Sequence, residues 1–211
     1  MRKITVITSS AAALLMPNID TDIIAPMKRI LNNFEEMGKY AFEAMRFVDG
    51  DGDRGEPNPD FVFNQPRFKG AKILLTGENF GCGSSRESAA MGIADMGVEC
   101  VIGSTFGGIF FKNCFQQAIL PIALPASMVE ELAAEAADGD FVVDLPAQTV
   151  TTPKGRIIGF EIEALRKEGL LEGLDDVGRT LKKKAAIDAF MARDRTARPW
   201  VYRNTAARIG Q

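Results

Sequence analysis

The chain contains no histidine. Without an imidazole, a Ser-His-Asp triad is excluded, and any proton transfer near neutral pH falls to other groups. Cysteine is scarce. Cys82, Cys100 and Cys114 are odd in number and widely spaced, so they give neither a disulfide framework nor a C-x-x-C half-site for a metal. Three such thiols suit a reducing, cytoplasmic compartment. The formal net charge of −3 leaves no basic footprint for nucleic acid. No apolar run approaches the roughly 18 residues that span a bilayer. The start, Met1-Arg2-Lys3 followed by an apolar stretch to Met16, loosely imitates a secretory signal. Residues 4–8 are β-branched and strand-like instead, and serines and threonine dilute the apolar stretch.

What is present fits an ordinary globular α/β domain. Of 211 residues, 46% are hydrophobic and 25% charged, enough for one domain with extensions. Residues 4–8 read as a strand, and 17–22 as a polar loop with Asx-type turn chemistry. Phe34, Met37, Ala41 and Met45 repeat near a helical period, predicting a helix over 34–47. Residues 49–59, dense in Gly, Asp and Pro, read as loop. Alternation then sharpens: strand 72–76, helix 85–97, strand 98–102, helix 106–118, strand 119–124, helix 126–137. This β-α-β-α-β series predicts a parallel, helix-covered sheet. Three strands at 141–145, 148–152 and 156–162, a helix over about 175–193 and a basic, loose tail complete the chain. The expectation is a single domain over 1–211, with a core at about 4–165 and a C-terminal helical extension at about 166–211.

The stretch Gly77-Glu78-Asn79-Phe80-Gly81-Cys82-Gly83-Ser84-Ser85-Arg86-Glu87 carries the most chemical information. It joins a strand to a helix start, where backbone N–H groups and the helix dipole favour an anion. Gly81 and Gly83 allow close backbone approach, and Arg86 is a planar donor suited to a carboxylate. The plainer reading is a capping box, with Ser84 as N-cap and Glu87 reaching back; a cap can also be a site. The familiar glycine motifs do not fit. The third glycine of a dinucleotide fingerprint is missing, and no Lys-Ser or Lys-Thr is present to make a P-loop. A serine acting here is activated by position, through nearby N–H groups and Arg86.

Other features are weaker. Asp20-Thr21-Asp22 on its own reads as a solvated loop before a helix. Asp49-x-Asp51-x-Asp53 imitates the start of a calcium loop, but Arg54 stands where that loop needs glycine, and Pro57 and Pro59 intrude. Phe106, Phe110, Phe111 and Phe115 lie at helical spacing and read as core. Lys182-Lys183-Lys184 reads as a solvated helix face.

Taken in order, the segments are more specific than any one of them. Asn18-Ile19-Asp20-Thr21-Asp22, Pro57-x-Pro59-Asp60-Phe61-Val62 and Asn79 to Glu87 are followed by Phe110-x-x-Asn113-Cys114-Phe115. Leu120-Pro121-Ile122 and Gly173-Leu174-Asp175-Asp176-Val177-Gly178 then close the series. This closely resembles the small subunit of bacterial 3-isopropylmalate dehydratase, the swivel-domain part of the aconitase superfamily, from about Ile4 to Arg193. The resemblance implies a single swivelling β/β/α domain with a mostly parallel sheet flanked by helices. It implies a hydro-lyase of leucine biosynthesis that moves a hydroxyl between adjacent carbons of a substituted malate by dehydration and rehydration. It also implies a [4Fe–4S] cluster in a separate large subunit, none bound by this chain, a small hydroxy-dicarboxylate substrate, and no nucleic-acid or membrane partner.

By the same resemblance, Ser84 matches the serine alkoxide that removes a proton next to a substrate carboxylate, and Arg86 the arginine that binds that carboxylate and steadies the alkoxide. Ser85 matches a further substrate-side hydroxyl. Gly83 and the Asp20-Thr21-Asp22 segment line the same cleft on the substrate side. No residue of this chain is assigned to a metal. The chain departs from the family pattern in three places: Ser88 where histidine is usual, Met27 where Ile-Pro-Lys places lysine, and Lys167 to Gly173, which reads Lys-Glu-Gly-Leu-Leu-Glu-Gly where Lys-His-Cys-Leu-Leu-Asn-Gly is usual. These departures leave open a paralogous dehydratase for another hydroxy-diacid, such as a methyl-substituted malate or citraconate. From a different class, a non-catalytic module holding an anion at a helix N-terminus also accounts for the glycine-rich turn alone.

Overall fold

The computed structural model describes residues 1–53, 55–83 and 86–202. The chain forms two compact units, 1–174 and 175–211. In the first, β1 (Val6–Ser9) and β2 (Ala11–Leu14) are followed by four short helices: α1 (Thr21–Ile24), α2 (Met27–Asn32), α3 (Met37–Tyr40) and α4 (Glu43–Arg46). Next come β3 (Ile73–Thr76), α5 (Glu87–Asp95), β4 (Cys100–Gly103), α6 (Gly108–Gln116), β5 (Leu120–Ala123) and α7 (Ala126–Ala134). The unit ends with β6 (Phe141–Asp144), β7 (Thr149–Thr151), β8 (Ile157–Gly159) and α8 (Ala164–Glu172). The second unit holds α9 (Asp176–Leu181) and α10 (Lys184–Ala197), so the helix expected over 175–193 is interrupted near Lys182 and Lys183. Of the basic tail, residues 203–211 lie outside the described residues.

The first unit contains two four-stranded sheets. One is all parallel in the order β2-β3-β4-β5, and the other is antiparallel in the order β1-β6-β7-β8. The parallel sheet is covered on both faces, which explains why β3 (ILLT) and β4 (CVIG) are buried at every position and read as continuous apolar runs. Side chains alternate between faces. Ile73, Leu75, Cys100, Ile102, Leu120 and Ile122 join one core with Val129 and Leu132 of α7 and Phe141, Val143, Val150 and Ile158 of the antiparallel sheet. Leu74 and Val101 join the other, with Ala89, Ala90 and Ile93 of α5 and Phe80, Phe42 and Phe110. Of the four phenylalanines expected in the core, Phe110 and Phe115 are buried, while Phe106, which precedes α6, and Phe111 are partly buried and pack against the two cores.

Two local expectations differ from the structure. Periodicity places no strand at residues 11–14, yet β2 pairs in parallel with β3 from Ala11↔Ile73 to Leu14↔Thr76. Its three alanines are weak strand formers, and pairing in a buried sheet overrides that preference. The helix predicted over 34–47 is broken into a 3-10 turn (Phe34–Glu36), α3 and α4. Ala41 is extended, and Phe42 sits in the left-handed region at φ 59°. Phe42 is compensated by burial and by its N–H donating to Ile24 O at 3.0 Å. Tertiary packing thus outweighs a sound periodicity.

Candidate functional site

Three loops leave the C-terminal ends of adjacent parallel strands: 15–20 after β2, 77–83 after β3 and 104–107 after β4. Strand ends on this side of an open parallel sheet are where α/β folds gather ligand-binding groups. Backbone bonds knit the loops together. Asn18 N donates to Glu78 O at 2.8 Å, Gly81 N to Ile19 O at 2.7 Å and Thr21 N to Cys82 O at 2.9 Å. On the other side, Phe80 N donates to Thr105 O at 3.2 Å and Gly107 N to Phe80 O at 2.8 Å. Side chains add to this: Thr105 Oγ1 accepts from Asn79 N at 2.7 Å, and Asn79 Nδ2 donates to Asn18 Oδ1 at 2.8 Å.

The turn owes its shape to residues that tolerate left-handed backbone. Asn79, Gly81 and Gly83 all have positive φ, at 56°, 70° and 94°. At Gly81 space is as limiting as conformation, since a Cβ there would lie 2.2 Å from Cγ of Phe110. Gly83 faces Asp20 and Thr21, and a Cβ on it would be 3.5 Å from Asp20 Cβ and from Thr21 Oγ1. The Asp-Thr-Asp segment and the glycine-rich turn, distant in sequence, are therefore neighbours.

Their side chains have separate duties. Asp20 is the N-cap of α1, accepting from Asp22 N at 3.0 Å and Ile23 N at 2.8 Å. Thr21 is buried. Asp22 turns outward, and its carboxylate pairs with the Arg86 guanidinium, Nη1 to Oδ1. Arg86 is only 19% exposed, whereas Asp22 is 58% exposed. So Arg86, Asp20, Thr21, Asp22 and Gly83 are brought together. Ser84 and Ser85 lie outside the described residues.

The Ser84 half of the expected capping box lies outside the described residues. Arg86 occupies the N-cap position of α5 with extended backbone and no side-chain cap, so the helix begins two residues later than a cap on Ser84 requires. Glu87 accepts from Gln117 Nε2 at 2.8 Å. The residues bonded to the 15–20 loop are drawn into the turn, and helical backbone starts only after them.

One cluster has no local signature in the sequence. Arg29, buried in α2, donates Nε to both Glu43 carboxylate oxygens at 3.0 Å, Nη1 to Asp53 at 2.7 Å and Nη2 to Asp51 at 3.2 Å. Its guanidinium lies 4.0 Å from the Tyr40 ring centroid. Tyr40 OH donates to Asp53 at 2.5 Å, and Gly52 N donates to Glu43 at 2.7 Å. The Tyr40 hydroxyl, then Arg29, hold the Asp53 carboxyl at about 2. Burial pushes Glu43 upward, but hydrogen bonds from Arg29 and Gly52 outweigh it and the net shift is downward. Asp51 and Asp53, which imitate a calcium loop, are thus partners of an arginine that pins the 47–57 loop to α2. Arg54 lies outside the described residues. A buried arginine is the missing half of the pattern, and its separation from Asp51 and Asp53, 22 and 24 residues along the chain, hides it.

The described residues do not fit an iron–sulfur cluster. No group of three His, Cys, Asp or Glu among them could hold a metal ion. Cys100 and Cys114 are fully buried, and burial pushes both thiols far above their ordinary value, away from the thiolate a metal needs.

A covered parallel sheet with its loops gathered at the strand ends is matched by known proteins. The profile of the aconitase C-terminal domain matches residues 6–127, and a second profile, LeuD_N, matches residues 130–164. The chain thus has an aconitase-type domain. The 3-isopropylmalate dehydratase small subunit of Dinoroseobacter shibae is 48% identical over 207 residues, covering 95% of this chain and 100% of that one. That of Rhodospirillum centenum is 48% identical over 205 residues, covering 95% of this chain and 98% of that one. The crystal structure of 3-isopropylmalate dehydratase (leuD) from Methanocaldococcus jannaschii aligns with a TM-score of 0.62 at 25% identity, covering 88% of this chain and 99% of that one. The chain belongs to the family of 3-isopropylmalate dehydratase small subunits.

Proposed function

We propose that the chain is the small subunit of a heteromeric hydro-lyase that interconverts 2-isopropylmalate and 3-isopropylmalate. The observation that carries the reading is the convergence of Asp20-Thr21-Asp22 with the Arg86 turn at the strand ends, in a chain nearly half identical to such subunits along its length. A large subunit supplies the rest of the site, including the [4Fe–4S] cluster for which this chain's described residues have no ligand set. The same reading puts the complex in the cytoplasm, acting on a small hydroxy-dicarboxylate without nucleic acid or membrane.

Each role of this chain follows from its chemistry. Arg86 holds a substrate carboxylate through a planar guanidinium, which suits a bidentate pair. The Ser84 oxygen takes the proton from the carbon beside that carboxylate, a weakly acidic position that calls for a strong, desolvated base. Hydroxide leaves the adjacent carbon, so proton and hydroxide together account for one water and an alkene remains. Adding the water back with opposite regiochemistry gives the isomer. Ser85, Gly83, Asp20, Thr21 and Asp22 shape the wall on the substrate side.

A substrate other than an isopropylmalate is the second reading, and it is favoured by Ser88. This residue is buried in the first turn of α5, two positions after Arg86, where the family pattern has the bulkier histidine. A panel of substituted malates and citraconate, given to the reconstituted pair, decides between the two. More than tenfold preference for a non-isopropyl diacid, about 1.4 kcal/mol of discrimination, selects the second.

A further inference from the structure

Arg86, the residue placed to bind a substrate carboxylate, already carries a carboxylate. We propose that Asp22 is the resting counter-ion of Arg86 and that the substrate carboxylate takes its place on binding. The proposal rests on the role given above to Arg86.

Four observations lead there. The pair joins residues 64 apart in sequence, across the two segments that form the site. Arg86 is largely shielded while Asp22 is mostly open to solvent, so the aspartate is the partner free to swing away. Asp22 is not needed to cap α1, since Asp20 receives both N–H groups of that turn. Among the described residues, the Asp22 carboxylate accepts from no other side chain than Arg86. A guanidinium paired this way is kept oriented and neutralised until a second carboxylate arrives. A pair with one partner open to solvent is weak, so exchanging it costs the incoming ligand little while rejecting uncharged competitors. Asp22 is then a positioning residue and a competitor at once, not a ligand of the substrate.

The two duties are separated by Asp22→Asn, which keeps shape and loses charge. In the pair reconstituted with its iron–sulfur large subunit, KM for 3-isopropylmalate is expected to fall about threefold, the scale of an exposed ion pair. An unchanged or raised KM overturns the proposal. A second arm needs no turnover. In the isolated chain, phenylglyoxal modification of Arg86 is followed by peptide mass spectrometry while malonate is added as the probe. Malonate is expected to half-protect Arg86 of the Asn variant at about a threefold lower concentration than in the parent chain. Equal concentrations overturn the proposal. If the parent pair turns over no substituted malate, the functional reading fails while the malonate arm still decides the role of Asp22.

Discussion

At the scale of single residues, the site depends on a few side chains whose neighbours fix what they can do. Arg86→Lys keeps the charge but loses the planar fork, and is expected to raise KM by about tenfold or more, the loss of one charge-assisted hydrogen bond; steady-state kinetics of the reconstituted pair measure it. Gly81→Ala is a different case. It forces φ of 70° on a residue with a Cβ and drives that Cβ into Phe110. Strain and overpacking together are expected to destabilise the first unit by about 2–4 kcal/mol, read from urea unfolding. The chemical identities here are legible in the sequence, because glycine, serine and arginine at a strand-to-helix turn have few uses. The Asp22–Arg86 pair is not legible: nothing local to either residue says that a side chain 64 positions away will meet it.

At the scale of elements, Arg29 ties α2 to α3, α4 and the Asp51 and Asp53 segment. Glu43 is the buried partner of Arg29, and Glu43→Ala leaves only the half-exposed Asp51 and Asp53 to offset that charge; the expected cost is about 3 kcal/mol, measured as the shift in unfolding free energy. Acid should loosen the loop earlier than the rest. The Asp53 carboxyl titrates at about 2 when folded and near its ordinary 3.8 when released. Its stabilising share is therefore full above about pH 4 and lost as the pH falls through about 2. Protection of the Gly52 amide against hydrogen exchange should fall across that window. In Tyr40→Phe, which loses the hydroxyl that contributes most to the shift, the fall should be smaller and be complete at higher pH. Legibility is uneven here. The parallel sheet is readable because strands buried on both faces are unbroken apolar runs, as in Ile73-Leu74-Leu75 and Val101-Ile102. The helix over 34–47 is a false expectation because the break at Ala41 and Phe42 is imposed by α1, whose Ile24 carbonyl takes the Phe42 N–H. Strand β2 escapes the sequence pattern because alanine carries little strand signal without its neighbour β3.

At the scale of the whole molecule, the chain belongs to a family of small subunits, and the proposed function gives it one wall of an active site and a large subunit the other. In that proposal Ser84 is the base and Arg86 the carboxylate holder, while the Lewis acid belongs to the large subunit. The decisive measurement is turnover of 2-isopropylmalate by purified chain, iron–sulfur large subunit and the two mixed, followed through the ultraviolet absorbance of the alkene, with Ser84→Ala run beside the parent. Turnover is expected only in the mixture, with at least about a hundredfold loss in the Ala variant, the scale set by removing a catalytic base, while co-purification of the two subunits persists. Near-normal rates with Ser84→Ala, or no turnover of any substituted malate by a mixture with an intact cluster, would contradict it.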